Sequence, residues 1–196
     1  MEDIFIRNVP GMTEILQKAT IGIAGCGGLG SNIAVPLVRS GVGKLILCGF
    51  DIVEASNLNR QHFYQSDIGK VKAEALAAHL KNINPAVELE IHNIKLTPQS
   101  AVQIFQEAEI LMEAFDRAES KRWLIESWCR HYPQKPIICG SGLAGYGSFE
   151  TLKIRRAGNL YLCGDEVSDM SMGLCAARVT LVAAMQANLA IEILLK

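Results

Sequence analysis

Between Gly25 and Asp116 the sequence gathers glycines, carboxylates, amides and cations of the kind that hold phosphate groups. Gly25-Cys26-Gly27-Gly28-Leu29-Gly30-Ser31 fits the pattern GxGxxG. Glycines there permit a tight turn and close approach of a phosphate, and the helix that follows offers unpaired N–H groups and a partial positive charge. Asp51 lies 21 residues after Gly30, a spacing that suits an acceptor for ribose hydroxyls. These two features predict an adenine nucleotide, with NAD, FAD and ATP all open. A glycine turn that only packs helix on strand would read the same way.

A second group is sharper. After Asp51 the chain runs Ile52-Val53-Glu54-Ala55-Ser56-Asn57-Leu58-Asn59-Arg60-Gln61, then Gly69-Lys70-Val71-Lys72, then Ala114-Phe115-Asp116-Arg117. An NAD enzyme has no task for cations and an amide clustered beyond its ribose carboxylate, whereas a triphosphate does. Arginine offers a planar fork to phosphate oxygens, and lysine a compact charge. Asp116 could hold Mg²⁺, which favours one or two carboxylates plus substrate phosphates. Taken singly, Arg60, Lys70 and Lys72 read as solvated surface charges. Their order and clustering favour the phosphate site.

The elements that must position these residues alternate between strand and helix. Thr20–Ala24, Leu45–Cys48, Ile110–Met112 and Pro136–Cys139 are short apolar runs that predict buried strands. Val87–Ile94 alternates and predicts a strand with one wet face. Helices are predicted over Asn32–Ser40 with Ser31 as N-cap, and over Lys70–Asn82, Gln99–Ala108 and Ala118–Tyr132. Phe149–Arg155 and Leu160–Cys163 predict two short strands, and Gly173–Lys196 a long closing helix. The expected fold is α/β and Rossmann-like: a mostly parallel sheet, helices on both faces, short antiparallel strands and a long helix at the C-terminal end. In such sheets ligands bind beyond the carboxyl ends of the strands. Here those ends carry Gly25–Ser31, Asp51, Asp116 and Gly140.

At 196 residues and 21.4 kDa the chain suits one domain over 1–196. Its net charge of −1 gives no basic excess for nucleic acid or an anionic membrane. Apolar stretches break within about ten residues, short of the roughly 20 that span a bilayer. The acidic N-terminus, with Glu2 and Asp3, lacks a secretory pattern. Six cysteines, at 26, 48, 129, 139, 163 and 175, form no CxxC pair and predict reduced thiols in a cytoplasmic protein. The histidines at 62, 79, 92 and 131 show no catalytic spacing, though His62 neighbours the phosphate residues.

The GxGGxGS loop, the run Asp51-x4-Ser56-Asn57-Leu58-Asn59-Arg60-Gln61, the Gly69-x-x-Lys72 helix start and the later Asp116 resemble the ubiquitin-activating-enzyme-like adenylyltransferases, the superfamily of ThiF, MoeB and HesA. The short chain and the ending Arg178-Val-Thr-Leu-Val-Ala-Ala-Met-Gln-Ala-Asn look most like a compact ThiF subgroup. The resemblance implies a single nucleotide-binding domain and a set of roles. Gly28 and Gly30 would shape the loop around the nucleotide. Asp51 would hold the ribose, Asn57, Arg60 and Gln61 would contact phosphates, and Asp116 would serve Mg²⁺. Lys72 would be the catalytic lysine, with Lys70 the competing choice. Arg7 would reach the phosphates of the other subunit of a homodimer.

The implied reaction is ATP-dependent adenylation of the C-terminal glycine of a small ubiquitin-like sulfur carrier, ThiS first, with release of pyrophosphate. The alternatives are an NAD-dependent oxidoreductase and a catalytically silent carrier-binding module. Many members of the superfamily hold zinc with two CxxC pairs. This chain has none, so no zinc is expected. Some ThiF proteins use a cysteine in sulfur transfer. Cys175, after the polar segment 165–172, is the best-placed residue for that role, and a buried structural thiol is the competing reading. Gly140-Ser-Gly-Leu-Ala-Gly-Tyr-Gly would line the path of the carrier tail, or simply turn and pack the sheet.

Overall fold

A computed structural model describes residues 4–196. It contains seven strands, β1 (Thr20–Ala24), β2 (Lys44–Cys48), β3 (Glu88–His92), β4 (Ile110–Glu113), β5 (Ile137–Gly140), β6 (Lys153–Ala157) and β7 (Leu160–Gly164). The helices are α1 (Met12–Leu16), α2 (Gly28–Ser40), α3 (Lys72–Ile83), α4 (Pro98–Ile104), α5 (Ala118–His131) and α6 (Ala176–Leu194). The sheet order is β3-β2-β1-β4-β5-β7-β6. All neighbours are parallel except β6, which runs antiparallel to β7 at the edge. The expected fold class therefore holds.

Two apolar layers enclose the sheet. On one face Ile33, Leu37, Leu76, Val182 and Ala187 of α2, α3 and α6 join Ile21, Ile23, Leu45 and Met112. On the other, Ala101, Leu124 and Trp128 of α4 and α5 join Ile46, Leu111 and Ile137. Strand residues thus alternate between layers, and the central strands are apolar on both sides, as helix-covered parallel strands require.

Several boundaries differ from the expected ones for local reasons. Ser31 does not cap α2. The helix begins at Gly28 with Gly27 as N-cap, and the Ser31 hydroxyl donates back to the Gly27 carbonyl at 2.7 Å from within the first turn. Lys70 lies outside α3, because Gly69 has φ 89° and Val71 bridges Ile52 in extended conformation. Phe149–Thr151 is a tight 3₁₀ turn rather than strand, closed by the Thr151 hydroxyl on the Ser148 carbonyl at 2.7 Å. β3 is an edge strand whose Ile91 is exposed, so its inner face is less clean than the alternation predicts.

The closing helix also corrects an expectation. At 19 residues and mean hydropathy 1.3, α6 is by length and composition apolar enough to cross a membrane. Its Val179, Val182, Ala183, Ala187 and Ala190 are buried against α2 and the sheet, which makes it the central cover of the larger layer.

Candidate nucleotide-binding cleft

The carboxyl ends of β1, β2, β4 and β5 open into a cleft of about 930 Å³. Its floor is the glycine loop. Gly25 has φ 104°, a conformation L side chains rarely adopt, and a Cβ there would also press on the Ala114 carbonyl at 2.8 Å. Gly30 is buried inside α2, where a Cβ would lie 1.8 Å from the Gly25 carbonyl oxygen. It lets the helix close on the strand end and does not face the cleft. Gly28 does line the cleft, and a Cβ there would meet only Val179 Cγ1 at 3.5 Å and Arg60 Nε at 4.0 Å. The protein itself does not demand glycine at 28; the open space does. The first N–H groups of α2 face that space without intrahelical partners.

One wall carries the predicted phosphate residues. Arg60 and Gln61 line it, on a turn held by their N–H groups to the Asn57 carbonyl at 3.1 and 2.9 Å. Gln61 Oε1 is buried without a hydrogen-bond partner among the described residues, an acceptor waiting for a donor. Asn32 of α2 donates from one amide to both the Gly28 and Arg60 carbonyls, at 2.7 and 2.8 Å, and the Ser31 hydroxyl accepts the His62 N–H at 3.0 Å. The polar residues just after the glycine loop therefore clamp the Arg60 turn, a role that the sequence reading missed.

Lys72 begins α3, lines the cleft and is 8% exposed. Its ammonium lies 3.6 Å from the Asp51 carboxylate, which sits on the rim. Lys70 points elsewhere, to Asp67 at 3.1 Å. Geometry thus separates the two lysines that the sequence left as competitors.

The opposite wall holds Asp116, Phe115 and Trp123, with the two rings 5.6 Å apart. Asp116 is exposed and makes no hydrogen bond or ion pair among the described residues, so its carboxylate fits a magnesium ligand. β4 ends three residues before it, at Glu113. That carboxylate is fully buried, accepts from Lys121 at 2.7 Å and from the Phe115 N–H at 2.7 Å, and is pushed up by burial against the pull of Lys121. Lys121 also donates to the Gly140 carbonyl at 3.1 Å, joining the ends of β4 and β5. Sequence reasoning missed this pair, because Glu113 continues an apolar run without any flag. Phe50, Ile94 and Leu96 add an apolar side.

Not every expected residue reaches the cleft. Asn57 is buried behind the turn, and its amide oxygen accepts the Glu54 N–H at 3.1 Å. Arg7 is exposed, on a segment that Asn8 ties to the Ser40 carbonyl at 2.9 Å, at the far end of α2 from the glycine loop. Thirteen helical residues put those ends about 20 Å apart. Cys175 is the half-buried N-cap of α6; its neighbour Leu174 lines the cleft and Cys175 does not. Cys26 does line it, but burial pushes its thiol to about 12.

The far end of the cleft is closed by 140–144 and by Ser168, Asp169 and Met170. Asp165 anchors that segment. Burial alone would raise its pKa, but the Ser168 and Val167 N–H groups, the Ser168 hydroxyl and Arg178 outweigh it and hold the carboxyl at about 2. Arg178, itself buried, also donates to the Gly147 carbonyl and so joins both loops to α6. No cluster of three or more His, Cys, Asp or Glu side chains able to hold a metal occurs among the described residues.

Comparisons with known proteins agree with this picture. The chain is 34% identical over 149 residues to the adenylyltransferase and sulfurtransferase MOCS3 of Xenopus laevis, matching 76% of this chain and 32% of that protein. It thus spans about a third of the length of the curated relatives it matches. Among solved structures it resembles the E. coli tRNA N6-threonylcarbamoyladenosine dehydratase TcdA, with TM-score 0.85 and 20% identity over 94% of this chain and 89% of that one. A second TcdA structure, in complex with ATP, superimposes at 0.83. E. coli MccB with ATP gives 0.74 at 22% identity, over 93% of this chain and 57% of that one. At these identities the structural likeness establishes the fold alone. Arg60, Gln61 and Lys72, which a nicotinamide enzyme would leave idle, form a wall of the cleft. A ThiF family model matches residues 5–196, nearly the whole chain, and the protein therefore belongs to the ThiF family.

Proposed function

We propose that the protein is an ATP-dependent adenylyltransferase that activates the C-terminal glycine carboxylate of a small ubiquitin-like sulfur carrier, with a ThiS-like carrier the first to test. The observation that carries this reading is a single cleft with Lys72, Arg60 and Gln61 on one wall and, on the other, Asp116, which has no partner among the described residues. The relatives add support: MOCS3 is named for adenylyl transfer and sulfur transfer, and solved TcdA and MccB structures contain ATP.

In this reading Gly28 leaves room for the phosphates, and the N–H groups of α2 bind them. Asp51 takes the ribose hydroxyls. Phe50, Ile94 and Leu96 offer an apolar seat for the base. Arg60 and Lys72 offset charge on the triphosphate as the carboxylate attacks the α-phosphorus and pyrophosphate leaves. A carboxylate is ionised at neutral pH, so the site needs no general base, and alignment with charge stabilisation does the work. Asp116 and the phosphate oxygens would hold Mg²⁺, which when bound neutralises phosphate charge.

The carrier tail would enter beside 140–144 and 168–170, at the end of the cleft away from Asp51. Arg7 would act across a homodimer, since it cannot reach its own cleft and stands among the exposed Ile4, Ile6 and Val9. Free thiols, four of them buried, suit a reducing compartment such as the cytoplasm. Cys175 as a sulfur-transfer residue would need the 165–172 segment to move.

The test is ATP–pyrophosphate exchange with Mg²⁺ and a panel of glycine-ended carriers. Exchange that depends on one carrier supports the reaction and identifies its partner. Binding of ATP without exchange for any carrier would favour a silent binding module or a different carboxylate, and no binding of ATP would overturn the reading.

A further inference from the structure

Resting on the adenylyltransferase reading, we propose that His79 is a positioning residue that carries a proton on both ring nitrogens and thereby fixes the Arg60–Gln61–His62 turn against α3. The argument begins with donors and acceptors. His79 Nδ1 lies 3.2 Å from the His62 carbonyl oxygen, and Nε2 lies 3.0 Å from Asp67 Oδ2. Both partners can only accept. A neutral imidazole has one N–H and can satisfy one of them; an imidazolium satisfies both. Asp67 is 3% exposed, so its charge needs donors, and it has Lys70 at 3.1 Å and the Tyr64 N–H at 2.9 Å besides His79. Burial would push Asp67 up, but these partners hold its carboxyl low.

The mechanical consequence concerns the cleft. The turn bearing Arg60 and Gln61 is clamped to α2 by Asn32 and Ser31. Its following residues, 62–67, reach α3 through both ring nitrogens of His79. Lys72 stands seven residues earlier on α3, two turns away on the same face. His79 thus holds the element with Arg60 in register with the element that starts at Lys72. The charged and titratable groups about the ring are Asp67, the rings of His62 and Tyr64 at 6.0 and 5.0 Å, and Lys70 through Asp67. Arg39 of α2 acts on His62, which burial, then His79 and Arg39, hold below its ordinary value.

Three readouts on the full chain test this. Nitrogen-15 spectra at neutral pH should give both ring nitrogens of His79 the shift of a protonated nitrogen; a bare nitrogen overturns the proposal, and no variant is needed. Amide protection over 60–67 at neutral pH, corrected for intrinsic exchange, should be lower in His79→Gln than in the wild type. Unchanged protection in His79→Gln overturns the proposal. In steady-state exchange assays His79→Gln should raise KM for ATP about tenfold, the scale of one charge-assisted hydrogen bond, with kcat little changed. A loss confined to kcat overturns the positioning role. If the wild-type chain binds no ATP, the adenylyltransferase reading falls, while the nitrogen shifts and the protection still decide what His79 does.

Discussion

Lys72 and Asp51 are joined twice: the Lys72 N–H donates to the Asp51 carbonyl at 2.8 Å, and the Lys72 ammonium lies 3.6 Å from the Asp51 carboxylate. The backbone bond fixes the start of α3 to the end of the β2 loop. The side-chain pair is looser and half in solvent, so a ligand can draw the two apart. Lys72→Ala should cut ATP–pyrophosphate exchange about 100-fold, the usual scale for a lost charge at a developing anion. Lys70→Ala should change turnover little, because Lys70 faces Asp67 and solvent. Equal losses in the two variants would remove the distinction drawn from the cleft.

The glycine loop makes a paired prediction. Gly30→Ala forces a Cβ to 1.8 Å from the Gly25 carbonyl oxygen and should lower Tm sharply. Gly28→Ala meets only Val179 and Arg60 at 3.5 Å or more and should keep Tm while weakening ATP binding. Thermal melts and nucleotide titrations on both variants separate folding from binding.

Glu113 and Asp116, three residues apart, should respond in opposite ways. Asp116→Asn removes an exposed carboxylate that has no partner among the described residues and should abolish most Mg²⁺-dependent turnover with Tm unchanged. Lys121→Met strands the buried Glu113 carboxylate and should cost about 3–5 kcal/mol of stability at neutral pH. The sign with pH follows from the raised carboxyl. The native state prefers Glu113 protonated, so the deficit should shrink as pH falls. Denaturant titrations at neutral and acid pH check it.

Asp165 predicts the reverse. Its carboxyl is held at about 2 against an ordinary value of 3.8, so the native state favours the ionised form. That contribution, about 2 kcal/mol, is complete above the ordinary value and disappears as pH falls through about 2. Asp165→Asn should therefore be less stable than the wild type at pH 7, with the gap closing in strong acid. A constant gap would mean that the ionised carboxylate, with its Ser168, Val167 and Arg178 donors, is not its source.

The sequence made the sheet and much of the cleft legible, because both rest on local patterns. Apolar runs such as Thr20–Ala24, too short for a helix and followed by glycines, read as buried strands, and glycines followed by Asp51 place a turn and an acceptor at the ends of those strands. What escaped depended on contacts distant in the chain. Glu113 looks like the tail of an apolar strand until Lys121, a turn into α5, is seen beneath it. Asn57 carries the motif's signature, yet its amide caps the turn that presents Arg60 and Gln61. The start of α3 was misjudged because Gly69 and the Ile52–Val71 bridge hold Lys70 out of the helix, and a periodicity count does not see a bridge. Ser31 read as a cap because caps and first-turn serines share a residue type.

The packing of α6 on α2 has a consequence for how the chain reaches its native state. These two helices form the heart of one layer, yet all of β2 through β7 lies between them in sequence. During synthesis the apolar face of α2, with Ile33 and Leu37, emerges early, and Val182, Ala183 and Ala187 that cover it come far later. Until then that layer has α2 and α3 but lacks its third helix, and α6, when it appears, is an apolar helix in search of a surface. Closure of this layer is thus a late, long-range step, and an interrupted chain would expose the side of the fold most prone to stick to its neighbours.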